Sequence, residues 1–243
     1  MKMRKNKKQI ELSILMPVYQ NEKIEHYIKN IHDKIIKKLR LGNIEIIVAE
    51  DGSKDNTKNI LKRIKSKYNL ILNLCEHQRG YINAVKEIYM QAQGKYIFFT
   101  DSDGEHSASD FWKLWKKLHN ENLDLVVGFK MNRKPFYRML ISKIHNLLLG
   151  ILFNIWLKDA NCGFRLMKNE VAKKIIPLTG NLTVAYNAET LIFAKKMNYK
   201  YGEVPTKHFY QKSTALTLKN IPLKLCNALF DLFKLKFKIV TKQ

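Results

Sequence analysis

The feature that most constrains this chain is an alternation of short, continuously apolar runs with longer stretches of helical spacing, repeated from Glu11 to Gly128. Glu11–Pro17 reads as a first strand, stopped by Pro17, and Ile24, Ile28, Ile31, Ile35, Ile36 and Leu39 recur at helical spacing behind it. Ile44–Ala49, Leu70–Cys75, Tyr96–Thr100 and Asp124–Gly128 read as further strands. Between them stand helices carried by Ile60, Leu61 and Ile64, by Ala84, Val85 and Ile88, and by Phe111–Leu118. Strands without polar alternation are buried on both faces, so the pattern predicts an α/β fold with a mostly parallel central sheet flanked by helices. In such sheets ligands bind beyond the carboxyl ends of the strands.

Three of those ends carry unusual polar groups: Tyr19–Glu22, Glu50–Asp55 and Asp101–Glu105. The last is the most pointed. Tyr96–Thr100 stops abruptly in Asp101-Ser102-Asp103-Gly104-Glu105, which places three carboxylates at one strand tip. Such groups repel one another and lose hydration, and a hard divalent cation bridging them to substrate phosphates relieves both costs. The competing reading is a polar turn whose aspartates cap the next helix. Asp55 and Thr57 read as caps. Arg79 is open between a diphosphate contact and a surface arginine.

After Gly128 the pattern changes. Lys130–Arg138 is a basic loop, Phe136–Leu157 is an apolar helical run, and Asp159–Leu166 is a short polar turn. A helix around Ala188–Met197 and an extended segment Tyr199–Pro205 follow. Ile221–Val240 is apolar with lysines at 224, 234, 236 and 238.

The formal net charge of +23 implies polyanionic neighbours: nucleic acid, anionic headgroups or phosphate-bearing substrates. Nucleic-acid binding rests on charge alone, since the lysines are spread and no binding motif accompanies them. No apolar run is long enough to span a bilayer. Both Phe136–Leu157 and Ile221–Val240 have the lysine–apolar character of helices lying in a membrane interface, although the first can equally pack as core against the sheet. Cys75, Cys162 and Cys226, odd in number and far apart, read as free thiols.

In order, PVYQNE (Pro17–Glu22), EDGSKDNT (Glu50–Thr57) and DSDGEH (Asp101–His106) resemble the nucleotide-sugar half of family 2 glycosyltransferases, which have the GT-A fold. DANCGFRLMKNEV (Asp159–Val171) and GEVP (Gly202–Pro205) resemble segments of the dolichol-phosphate mannose synthase branch, whose members act on polyprenyl phosphates. The chain departs from that branch in Glu50 for aspartate, Glu105 for glutamine, Ser107 for proline and Ile82 for glycine; His208–Thr214 lacks the usual arginine and Gly-Ser-Lys elements.

The resemblance implies a GT-A (Rossmann-like) domain over 11–215, with a nucleotide-sugar half (11–128) and an acceptor half (129–215). A basic tail (1–10) precedes it and an amphipathic basic helix (216–243) follows. It implies an inverting transfer from a nucleotide-diphosphate sugar to a polyprenyl (dolichyl or undecaprenyl) phosphate, peripherally on the cytoplasmic side of a membrane, with a membrane-embedded partner subunit as an option. Pro17, Tyr19, Glu22, Glu50, Asp51, Asp101, Ser102 and Asp103 are the expected nucleotide-sugar contacts. Asp101, Asp103 and Glu105 are the expected ligands of Mg²⁺ or Mn²⁺. Lys130, Arg133, Arg138 and Arg165 are expected at the acceptor phosphate, since arginine forks suit phosphate oxygens. Asp103 and Asp159 are the expected catalytic residues. Two alternatives stand beside this: a family 2 transferase acting on a saccharide hydroxyl, and a basic membrane- or nucleic-acid-binding protein.

Overall fold

The computed structural model describes residues 9–39, 43–131, 136–183, 185–209 and 221–241. Seven strands form one sheet in the order β3-β2-β1-β4-β6-β5-β7. They are β1 (Ile10–Val18), β2 (Asn43–Glu50), β3 (Leu70–Leu74), β4 (Tyr96–Phe99), β5 (Leu125–Lys130), β6 (Arg165–Lys168) and β7 (Tyr201–Thr206). Only β6 runs against its neighbours, pairing antiparallel with β4 on one side and β5 on the other. The fold is the GT-A type expected, a mostly parallel sheet with flanking helices.

Two cores cover the sheet. One packs Leu12, Ile14, Met16 and Phe98 beneath α1 (Ile24–Ile31, continued by a wider turn to Ile36), α2 (Thr57–Tyr68) and α4 (Phe111–Asn120). The other packs Leu15, Ile97, Phe99 and Val127 beneath α3 (Tyr81–Gln91), α6 (Asn169–Ile175) and α7 (Tyr186–Lys196). Both faces of β1 and β4 are therefore buried, which is why these strands show apolar runs without alternation.

Most strand ends shift by one or two residues from the sequence reading, and two of the differences bear on the site. Pro17 does not stop β1; it is buried within it, in register with Ala49 of β2, and the strand continues to Val18. The Asp159–Leu166 turn ends two residues early, because Arg165 and Leu166 open β6.

α5 (Phe136–Phe153) and α8 (Ile221–Val240) each present two faces. Leu148, Leu149, Leu152 and Phe153 of α5, and Leu232 and Leu235 of α8, join the second core. The opposite sides stay in solvent: Phe136 is 71% exposed, Ile151 66%, and Leu140, Ile144 and Leu147 lie between them. On α8, Phe230, Phe233 and Phe237 are exposed. α8 is tied to the loop before α7, where the amide and hydroxyl of Thr183 both donate to Asp231 Oδ2 (3.0 and 2.7 Å). Among the described residues no helix is long and apolar enough to cross a membrane.

Candidate active site

The ends of β1, β2 and β4 meet at one edge, held by hydrogen bonds between the loops that leave them. The amide of Gln20 donates to Ser53 Oγ (2.9 Å) and that of Asn21 to Thr57 Oγ1 (2.8 Å). The Asn21 side chain crosses to the third loop and donates to the Ser102 carbonyl (2.6 Å). Asn21 is therefore the residue that joins all three motifs, and sequence reasoning passed over it. The only signal was a short polar side chain directly beyond a buried strand.

The expected nucleotide-sugar residues line this edge, and several of them first shape it. Glu50 is fully buried; one carboxylate oxygen accepts the Ser53 amide of its own turn and the other lies 3.7 Å from Lys58 Nζ. Asp51 accepts the amides of Arg79 (2.9 Å) and Gly80 (3.1 Å) and so fixes the entry to α3. Glu22 accepts the Asn56 amide (3.1 Å). Tyr19 is exposed at the end of β1. Asp55 accepts the Thr57 amide (3.1 Å) from one position ahead of the N-cap, which is Asn56. Arg79 is not loose on the surface: it pairs with Glu87 and donates to Asn73 Oδ1 (2.7 Å), bracing β3 against α3.

The carboxylates of the third loop separate into two groups. Asp101 accepts the hydroxyl of Tyr81 (3.0 Å) on Oδ1, and its Oδ2 packs directly on Gly163, where a Cβ would overlap it. Burial first, and then the Glu105 charge, raise the Asp101 pKa against the opposing pull of Lys130, Tyr81 and Arg165. Asp103 accepts the Glu105 amide (2.9 Å); desolvation of the turn, then Asp101 and Glu105, push its carboxyl up to about 7. Glu105 points elsewhere. Its Oε2 pairs with Lys130 and lies 3.5 Å from His208 Nε2.

The expected trio of metal ligands is thus corrected: among the described residues no group of three or more His, Cys, Asp or Glu side chains is placed to hold an ion. The two aspartates still fit a divalent cation. Burial first, and then neighbouring carboxylate charge, keeps their proton affinity high, and Mg²⁺ is ordinarily bound by one or two carboxylates together with substrate phosphates rather than by an all-protein cage.

Arg165 also departs from its expected role. It is 0% exposed, and its guanidinium donates to the carbonyls of Cys162 (3.1 Å from Nε), Asn187 (2.8 Å) and Ala160 (3.4 Å) and to the hydroxyl of Thr190. A cation that deep needs partners for its donors, and main-chain oxygens supply them. Arg165 shapes the 159–165 turn from beneath and does not reach an acceptor. Arg133 lies outside the described residues; Arg138 falls in α5 with its side chain outside them.

Asp159, 5% exposed, walls a cleft of about 280 Å³ that Phe129, Lys130, Met139, Ser142, Lys143 and Lys158 complete. Lys143 and Lys158 were not singled out in the sequence. The turn is held against α5 by Asn146, whose side chain donates to the Lys158 carbonyl and accepts the Ala160 amide (3.2 Å). His145, next to it, is held below the usual histidine range by burial, with Asp159 pulling the other way.

This arrangement invites comparison with known proteins. The pattern described as "Glycosyl transferase family 2" matches residues 13–176, more than half of the chain. The chain belongs to glycosyl transferase family 2. It is 30% identical over 221 residues to the UDP-N-acetylglucosamine–dolichyl-phosphate N-acetylglucosaminyltransferase of Methanococcus voltae, covering 81% of this chain and 85% of that protein. It is 29% identical over 215 residues to a dolichyl-phosphate β-glucosyltransferase of Dictyostelium discoideum, covering 80% of this chain but only 65% of that longer protein.

Among solved structures, this family 2 chain is similar in fold to a mannosyltransferase from Pyrobaculum calidifontis in complex with GDP-mannose and Mn²⁺. The TM-score is 0.68 at 17% identity, over 95% of this chain and 65% of the other. Glucosyl-3-phosphoglycerate synthase from Mycobacterium tuberculosis, in complex with Mn²⁺, UDP and glucosyl-3-phosphoglycerate, gives a TM-score of 0.65 at 16% identity, over 93% of this chain and 79% of the other.

Proposed function

We propose that this glycosyltransferase moves a sugar from a nucleotide-diphosphate donor to a polyprenyl phosphate, working peripherally on the cytoplasmic side of a membrane. One observation carries the reading: the 159–165 turn touches the donor carboxylate Asp101 at Gly163 and walls the lysine-lined cleft at Asp159. A single short turn thus adjoins a strand edge suited to a diphosphate and a basic cavity suited to a second phosphate.

Asp103, assisted by Asp101, would hold a divalent cation, which would neutralise charge gathering on the departing diphosphate. The rim formed by Tyr19, Glu22, Glu50, Asp51 and Ser102 receives the nucleoside. Lys143 and Lys158, with Lys130, attract the acceptor phosphate and hold it in line with the anomeric carbon. A phosphate oxygen attacks that carbon as its bond to the diphosphate oxygen breaks, and the electron pair leaves with the diphosphate. The configuration inverts. Because the attacking oxygen is already anionic, no general base is required, and Asp159 orients the sugar or the lysines rather than removing a proton.

The exposed stripe from Phe136 to Ile151, Trp156 at 63% exposure, and the phenylalanines of α8 interleaved with lysines support a resting place in the headgroup region of an anionic bilayer. That location brings a lipid-borne phosphate to the mouth of the cleft.

The test is a screen of radiolabelled UDP- and GDP-sugars with and without undecaprenyl or dolichyl phosphate. Label extracted into the organic phase, dependent on Mg²⁺ or Mn²⁺, is expected. Product that stays in water even when lipid phosphate is supplied refutes the acceptor class. Flotation with anionic liposomes, comparing the full chain with one ending at Lys219, tests the role of α8; undiminished binding removes it as an anchor.

A further inference from the structure

Asp101 is gripped from one side by a residue that belongs to none of the motifs. Tyr81, the first residue of α3, donates its hydroxyl to Asp101 Oδ1 at 3.0 Å. The residue is not there by chance of a surface rotamer. Asp51 accepts the two amides just before it, those of Arg79 and Gly80, and so sets where α3 begins. Gly80 turns with φ +89°, a conformation that favours glycine, and delivers Tyr81 toward the sheet edge. From the other half of the molecule Asn187 Nδ2 donates to the Tyr81 hydroxyl at 3.4 Å, and the Tyr186 ring meets the Tyr81 ring edge-to-face at 6.3 Å. The Asn187 carbonyl in turn receives Arg165 Nη1.

We infer that Tyr81 is a positioning residue for Asp101, holding Oδ1 by hydrogen bond so that the carboxylate keeps one orientation for cation binding, and that its hydroxyl links Asp101 to Asn187 of α7. This rests on the reading that Asp101 helps hold a divalent ion. Two constraints converge on the same carboxylate. Gly163 leaves room for Oδ2 and no more, while Tyr81 holds Oδ1 by hydrogen bond. A ligand held at both oxygens pays little ordering entropy on binding an ion, as is general for hydrogen-bond partners that orient ligating groups.

The test measures Mn²⁺ binding directly, from the paramagnetic resonance of free Mn²⁺ over the full-length chain, alone and with UDP or GDP. The variants are Tyr81→Phe and Asp101→Asn. Phenylalanine keeps the ring against Tyr186, so the thermal midpoint without metal is expected to stay at the wild-type value, while Mn²⁺ affinity falls about tenfold or more. The Mn²⁺ concentration giving half-maximal transfer should rise by the same factor. Wild-type affinity in Tyr81→Phe, beside lost affinity in Asp101→Asn, overturns the inference and leaves the cation reading standing. A drop in metal-free midpoint that accounts for the weaker binding overturns it too, since the hydroxyl is then merely structural. If Asp101→Asn binds Mn²⁺ as tightly as wild type, or wild type binds none, the cation reading itself fails and takes the inference with it.

Discussion

The carboxylate of Asp101 packs directly on the Cα of Gly163, which joins the tip of β4 to the turn that precedes β6. Gly163 has no strained dihedral to explain it; its role is to leave space. Replacing it by alanine drives a methyl group into Asp101 Oδ2, and either the carboxylate or the turn must shift. Transfer by Gly163→Ala should fall about a hundredfold, in the range that lost electrostatic preorganisation commonly costs. Denaturant unfolding is expected to show a smaller effect. Transfer at the wild-type rate would mean the contact is incidental.

Asp103→Ala should abolish transfer, by about 10²–10³-fold or more, without unfolding the chain. Among the described residues its side chain accepts the Glu105 amide, within its own turn. Circular dichroism melts alongside the transfer assay decide the point, and an active variant removes Asp103 from the site.

Arg165→Leu should act on stability rather than on acceptor affinity. The substitution leaves the carbonyls of Ala160 and Cys162 short of donors, at about 1–3 kcal/mol for each buried group left unsatisfied. Urea titration should show the loss. A stable variant with a raised KM for polyprenyl phosphate would restore the phosphate contact that the sequence suggested.

Lys143→Ala and Lys158→Ala should each raise the KM for polyprenyl phosphate about tenfold or more, the worth of a hydrogen bond to a charged group, and leave the donor KM unchanged. Both line the cleft beside Asp159. Equal shifts in both KM values would place the cleft on the donor side.

His145 sets a pH dependence. Burial lowers its pKa below 6.5, so the unfolded chain takes up the proton more readily than the folded one. Its contribution to stability is complete above about pH 6.5 and is lost as pH falls through the lowered value in the fold. His145→Phe should flatten the fall in thermal midpoint between about pH 7 and 5; an unchanged slope assigns that fall to other groups.

The five-strand opening and its intervening helices were legible because burial on both faces writes itself as unbroken apolar runs. β6 was not, because four residues bounded by Arg165 and Lys168 carry no such signature; their burial comes from β4 and β5 on either side. The same gap hid the fate of Arg165, whose charge is met by carbonyls that only the tertiary fold assembles. Glu105 shows the converse. Its nearness to Asp101 and Asp103 in sequence suggested a shared ion, but the turn sends its side chain to Lys130 and His208. Asn21 and Tyr81 act through partners far along the chain, Ser102 and Asp101, so neither had a local pattern to betray it.

The reversed direction of β6 has an outcome for how such an enzyme can change. Because that strand alone enters the sheet from the edge where β1, β2 and β4 end, the chain ahead of it passes those tips, and Gly163 is pinned there against Asp101 while the stretch between α5 and Asp159 lies ahead of that contact. On the function proposed above, the stretch between α5 and Asp159 is thus where a new acceptor preference can arise with the Gly163–Asp101 contact left in place.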